Sequence, residues 1–182
     1  MPFVTLRPVR ADDLPILADG TSPGSDPWNF FGFRSSNGLE RRFAADGFIS
    51  ERSGMLAIEN SDAELLGEVS WHEVRHGPTE SCSTANIGIV LRPIHRGKGY
   101  GGPAQAALAD YIFQTTLLER IEAETDLENV AEQKALEKAG FQQEGVLRHA
   151  QFRSGQWRDL VLFSRLRHDP LPAQVQHMKP KP

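Results

Sequence analysis

The segment Arg92-Pro93-Ile94-His95-Arg96-Gly97-Lys98-Gly99-Tyr100-Gly101-Gly102 constrains this chain more than any other. An alternating run, Ala85 to Leu91, leads into it, and an Ala/Leu-rich run, Pro103 to Phe113, leads out. Alternation at period two reads as a strand, whereas Ala104, Ala107, Leu108, Tyr111 and Ile112 recur at helical spacing. The chain must therefore pass from strand to helix through a glycine-rich turn. Such a turn bares several backbone N–H groups in one concave patch, and the first turn of the helix adds N–H groups that have no internal partner. Together they seat phosphate oxygens. Arg96 and Lys98 bring positive charge to the same place.

The remaining elements follow from period and punctuation. Phe3 to Leu6 reads as a strand, and Ala11-Asp12-Asp13 as an acidic helix start with Leu14 and Leu17 behind it. Residues 20–38 are broken by Gly and Pro, yet carry Trp28, Phe30, Phe31 and Phe33, which pack on a core edge or wall a substrate pocket. Leu39 to Asp46 reads as a helix that stops at Gly47. Met55 to Glu59, Leu65 to Val74 and the strand ending at Leu91 follow through short turns, which predicts an antiparallel meander. Glu119 to Thr125 is a strand, with Ile121 and Ala123 on one face and Glu122 and Glu124 on the other. Asn129 to Lys138 is a helix stopped by Gly140. Phe141 to Phe152 and Trp157 to Leu166 are two last strands joined near Ser154-Gly155-Gln156. This order predicts an α/β (α+β) sandwich, with a mixed, mostly antiparallel central sheet flanked by helices. It is not the regular alternation of a doubly wound nucleotide fold. One domain over 1–168 is expected, with a proline-rich, flexible tail over 169–182.

Bulk properties narrow the function classes. The formal net charge is −4, which gives no general electrostatic pull toward nucleic acid. Cys82 is the single cysteine, so an intramolecular disulfide and a cysteine metal cluster are both excluded. His72 and His76 are four apart but in strand-like sequence, and no third ligand is placed with them, so no metal is expected. No apolar stretch is long enough for a membrane span, and the chain opens on strand-like residues, so a cytoplasmic protein is expected.

The glycine turn lacks the Gly-Lys-Ser/Thr ending of a Walker A loop and the βαβ setting of a dinucleotide fingerprint. Arg96-Gly97-Lys98-Gly99-Tyr100-Gly101 instead matches the Arg/Gln-x-x-Gly-x-Gly/Ala signature of the GNAT superfamily of N-acetyltransferases. A second signature of that family stands at the expected distance, Asn129-Val130-Ala131-Glu132-Gln133-Lys134-Ala135-Leu136-Glu137-Lys138-Ala139-Gly140-Phe141. Leu6-Arg7-Pro8-Val9-Arg10-Ala11-Asp12-Asp13 and Gly145-Val146-Leu147-Arg148 also resemble it, so the resemblance covers residues 3–166. The branch it most resembles holds the ribosomal-protein N-terminal and small-amine acetyltransferases.

The resemblance implies acetyl-coenzyme A, or another acyl-coenzyme A, as co-substrate, and a splayed strand pair as its cleft. The N–H groups of Gly97, Lys98, Gly99, Tyr100, Gly101 and Gly102 would hold the pyrophosphate, with Arg96 and Lys98 near the phosphates. The pantetheine arm would lie along Ile89, Val90 and Leu91 and reach Asn129, which also reads as a plain helix N-cap. The implied reaction is direct transfer of the acyl group to a primary amine of a small molecule or a peptide N-terminus. A homodimer is a family-based expectation.

Three positions depart from the family pattern. Leu136 stands where many members have a tyrosine, Asn86 where many have a glutamate, and Gly102-Pro103-Ala104 where Thr-Glu-Ala is common. Candidate groups for the amine proton are His72, Glu124 and Glu122, with His149 a candidate for the substrate mouth. The departures leave two alternatives. One is a GNAT-fold transferase that uses another acyl-coenzyme A or a charged tRNA as aminoacyl donor. The other is a non-catalytic coenzyme A-binding module.

Overall fold

The computed structural model describes residues 2–20, 27–28, 31 and 37–170. The sheet has seven strands in the order β1-β2-β3-β4-β5-β7-β6. They are β1 (Thr5–Pro8), β2 (Ser53–Glu59), β3 (Leu65–Arg75), β4 (Ser83–Leu91), β5 (Arg120–Asp126), β6 (Gln142–Arg153) and β7 (Gln156–Leu166). Only β4 and β5 pair in parallel, and every other neighbouring pair is antiparallel. The expected mixed, mostly antiparallel sheet flanked by helices is the fold observed.

Strand β2 shows how the layers arise. Successive side chains of a strand point to opposite faces, and β2 is buried on both. Leu56 and Ile58 enter one core with Leu108 and Ile112 of helix α3 (Gly101–Thr115) and Leu136 of α4 (Val130–Lys138). Met55 and Ala57 enter a second core with Leu14 and Leu17 of α1 (Leu14–Gly20) and Phe43 of α2 (Gly38–Asp46). Helices therefore cover both faces of the β1–β3 half. The first core runs on across the sheet to Ile121, Val161 and Phe163, whereas the second ends at β3.

Local chemistry sets the element ends. Gly47 closes α2 in the left-handed conformation, at φ 62°. Ser154 and Gly155 both have positive φ, 52° and 78°, as a two-residue turn between right-twisted strands requires. Helix α3 begins two residues before the expected start at Pro103. Its first turn accepts this proline because an N–H there has no helical partner to lose. Strand β1 begins at Thr5 rather than Phe3. The part-buried Arg7–Asp13 pair, at 2.6 Å, then ties β1 to the turn that starts α1, and Arg7 also reaches Glu59 of β2 at 2.5 Å. Phe30, Phe33 and most of the expected tail, residues 171–182, lie outside the described residues.

Candidate active site

The site exists because β4 and β5 part company. Their pairing covers only Ala85–Ile87 against Ile121–Ala123. Beyond it, Gly88 to Leu91 and Glu124 to Asp126 diverge around a cleft of about 470 Å³. The glycine turn borders this cleft through Arg96, Gly97, Gly99, Tyr100, Gly101 and Gly102. Gly97 and Gly99 have φ of 71° and 85°, a region that a side chain disfavours. No side chain caps the start of α3, so its first N–H groups remain available to an anion. Arg96 is braced by its Nε, which donates to the Leu91 carbonyl at 2.8 Å.

Helix α4 closes the cleft from the other side. A Cβ on Gly102 would lie 3.1 Å from the Lys138 Cβ, and one on Gly101 would lie 3.3 Å from that of Ala135. These two glycines therefore serve close helix packing as well as any ligand. Lys134 and Lys138, one helical turn apart, line the cleft, whereas Lys98 is exposed and does not. Asn129 caps α4, its Oδ1 accepting from the Glu132 N–H at 3.3 Å, and it also borders the cleft. Ile89 and Leu91 line it and Val90 does not. Leu136 is fully buried in the core and offers no group to the cleft.

The three candidate proton acceptors have different surroundings. Strand pairing sets His72, Asn86, Glu122 and Ser164 in one row across the sheet. Glu122 is only 2% exposed. Its Oε1 accepts from Arg120 Nε at 2.7 Å and lies 2.8 Å from His76 Nε2. Arg120 in turn makes a two-pronged pair with Glu144, which also accepts from the Ser164 hydroxyl at 2.6 Å. These donors hold Glu144 well below the usual carboxylate range, at about 2. Glu122 is thus committed to a network beside the cleft and is not among the residues lining it. Glu124, two residues on, does line it. Partial burial raises its pKa above the ordinary value, the charge of Glu122 raises it further, and His72 opposes both. His72 is exposed on β3, outside the cleft lining. His149 occupies a bulge of β6, beside a separate surface hollow with Arg148 and Asp159.

Four cleft residues besides the two lysines escape a sequence reading: Asp126, Gln151, Arg153 and Leu160. Arg153 is one of many scattered arginines in the sequence. No local pattern marks it, since its partners come from distant segments. Among the described residues, no group of three His, Cys, Asp or Glu is placed to hold a metal ion. Among the same residues, no helix is long and apolar enough to cross a membrane.

Residues 4–142 match the family model of the acetyltransferase (GNAT) domain. The chain belongs to the GNAT acetyltransferase family. Within this family it is 37% identical over 109 residues to a probable N-acetyltransferase of Bacillus subtilis, 60% of this chain and 59% of that protein. The chain thus spans about three fifths of that relative's length. It is 27% identical over 177 residues to spermidine N(1)-acetyltransferase of Escherichia coli K12, 97% of this chain and 91% of the other. The GNAT fold here superposes on a crystal structure of spermidine N-acetyltransferase from Vibrio cholerae in complex with coenzyme A and spermine. The TM-score is 0.78 at 23% identity, over 91% of this chain and 96% of that one. The branch expected from the motifs holds both ribosomal-protein N-terminal and small-amine acetyltransferases; the relatives include spermidine acetyltransferases and do not single out the ribosomal-protein members.

The donor set fits acetyl-coenzyme A. An uncapped helix start, two turn glycines at positive φ, and Arg96, Lys134 and Lys138 offer N–H groups and cations to phosphates. The freed edge of β4 offers strand-type hydrogen bonds to an extended amide chain, and Asn129 stands at the far end of α4.

Proposed function

We propose that this GNAT chain transfers an acetyl group from acetyl-coenzyme A to a primary amine of a small aliphatic polyamine of the spermidine class. The observation that carries this reading is Glu124, a carboxylate set in the mouth of the splayed β4–β5 cleft. Among the described residues no basic side chain forms an ion pair with it. A carboxylate so placed attracts a cationic amine, and its raised pKa brings it nearer to that of a group able to take the amine's proton. The likeness to spermidine acetyltransferases supports the same class of acceptor.

Bound acetyl-coenzyme A would supply an activated acetyl thioester. The chain's part is to hold it along β4 and to present the amine from the carboxylate-bearing face. The amine nitrogen bonds to the thioester carbonyl carbon and the carbon–sulfur bond breaks. The nitrogen attacks as the neutral amine: Glu124 takes one proton from the ammonium beforehand, directly or through water, and the proton that nitrogen sheds on bonding to carbon goes to the departing thiolate. Leu136 cannot act as the acid for that thiolate, so alignment carries much of the rate.

The test is release of free thiol from acetyl-coenzyme A in the presence of spermidine, spermine, short peptides with free N-termini, or lysine. Saturable release with the polyamines and weak release with peptides is the expected result. Preferred turnover of peptides moves the function to the N-terminal acetyltransferases. Binding of acetyl-coenzyme A without turnover of any amine overturns the proposal in favour of a non-catalytic module.

A further inference from the structure

Arg153 is a buried cation that the chemistry above does not use. It ends β6 and is only 4% exposed. One arm of its guanidinium pairs with Asp126, at the end of β5. The other donates to the Gln151 side-chain oxygen at 2.6 Å and to the Trp28 backbone carbonyl at 3.1 Å. The guanidinium carbon also lies 5.5 Å from the centre of the Trp28 ring, within range of a cation–π contact. Asp126 is equally busy. Its Oδ1 accepts from the Glu128 N–H at 2.9 Å, and its carbonyl accepts from the Asn129 N–H at 2.9 Å. One ion pair therefore joins Trp28, the end of β5 and the turn that presents Asn129.

This knot marks one end of the cleft. The glycine turn packs on Ala135 and Lys138, toward the end of α4, whereas Asn129 begins that helix. At 1.5 Å per residue the two regions stand about 9–13 Å apart along α4. If phosphates take the glycine end, the other end is the one held by Asp126, Arg153 and Trp28, with Leu160 of β7 paired to Asp126 and Glu124 two residues before Asp126 on β5; Phe31 lines the same cleft.

We propose that Arg153 is a positioning residue that holds Trp28 as the wall of the acceptor end of the cleft. The methylene chain of an aliphatic amine then lies against Trp28, Phe31 and Leu160, and its positive charge faces Glu124. The proposal rests on the polyamine acetyltransferase reading and names the residue that selects the acceptor. A fork-shaped guanidinium is required because it serves Asp126, Gln151 and Trp28 at once, which a lysine ammonium does only in part.

The test uses the full chain with Arg153→Met, Arg153→Lys and Trp28→Ala. Three quantities are measured: KM for spermidine, KM for acetyl-coenzyme A, and the calorimetric affinity for spermidine on protein saturated with coenzyme A. Arg153→Met should weaken both spermidine constants by about tenfold or more, with the acetyl-coenzyme A KM within about twofold of wild type. Arg153→Lys should recover part of the loss. Trp28→Ala should reproduce it and add little to Arg153→Met in the double variant, since the two act as one unit. If Arg153→Met fails to fold, Trp28→Ala alone carries the test. Unchanged spermidine affinity overturns the proposal, as does an equal loss for both substrates with a fall in Tm. Wild-type protein that binds coenzyme A but no amine overturns the polyamine reading, and the acceptor wall with it.

Discussion

At the residue scale the cleft turns on two carboxylates of similar chemistry and opposite surroundings. Glu124 is partly desolvated and sits near another negative charge, so its pKa is raised. If its anion accepts the amine proton, kcat/KM falls as pH drops through that raised value. Glu124→Gln should abolish this acid limb and lower kcat by about 10²-fold or more, read from a pH–rate profile at saturating acetyl-coenzyme A. The same shift has a stability sign. The folded state holds the proton more tightly than the unfolded chain, so the ionised carboxylate costs stability as pH rises through the window between the two values. Glu124→Gln should therefore raise Tm at neutral pH while it removes activity. Glu144 has the opposite sign. Arg120 and Ser164 hold it at about 2 against an ordinary 4.5, so its contribution is present above pH 4.5 and is lost as pH falls toward 2. The Tm gap between wild type and Glu144→Gln should be open at pH 7 and closed near pH 2.

At the element scale two glycines of positive φ, 154° at Gly67 and 71° at Gly97, show strained backbone with and without a close neighbour. Gly67 sits where β3 passes β4, and a Cβ there would lie 2.1 Å from the Val90 carbonyl oxygen. No side-chain rotation relieves a clash with backbone, so Gly67→Ala should cost about 2–4 kcal/mol and disturb the strand that borders the cleft. Gly97 has open space around its would-be Cβ but a φ of 71°. Gly97→Ala should cost only about 1–2 kcal/mol, from the left-handed backbone alone. Denaturant unfolding of the two variants checks the difference. Both elements were legible in sequence, since the turn announced itself by its glycines and β3 by its period. The reason for Gly67 was not, because the Val90 carbonyl comes from a different strand.

At the scale of the whole molecule, the cleft is a gap between elements that otherwise pack tightly. A ligand that fills it binds the folded state alone, and coenzyme A at about 100 times its Kd should stabilise the fold by about 2.7 kcal/mol. For a chain of this size that is a rise in Tm of about 5–10 °C, measured by thermal scan. Inorganic phosphate at the same concentration should give much less, since it cannot use the β4 edge.

The sequence by itself determined what is local. Strand and helix periods, the stops at Gly47 and Gly140, the positive-φ glycines of the turn and the N-cap at Asn129 depend on residues a few positions apart, so they can be read along the chain. Family motifs carried the rest of the fold. Tertiary structure alone decided which charges meet. Glu122 and Glu124 look equivalent on one face of β5, yet Arg120 and His76 bind the first while the second borders the cleft. Arg153 and Trp28 stand 125 positions apart and share one hydrogen bond. The reason is physical: a backbone's torsions answer to near neighbours, whereas the energy of a charge depends on every dipole and ion within a few ångströms, whatever its place in the chain.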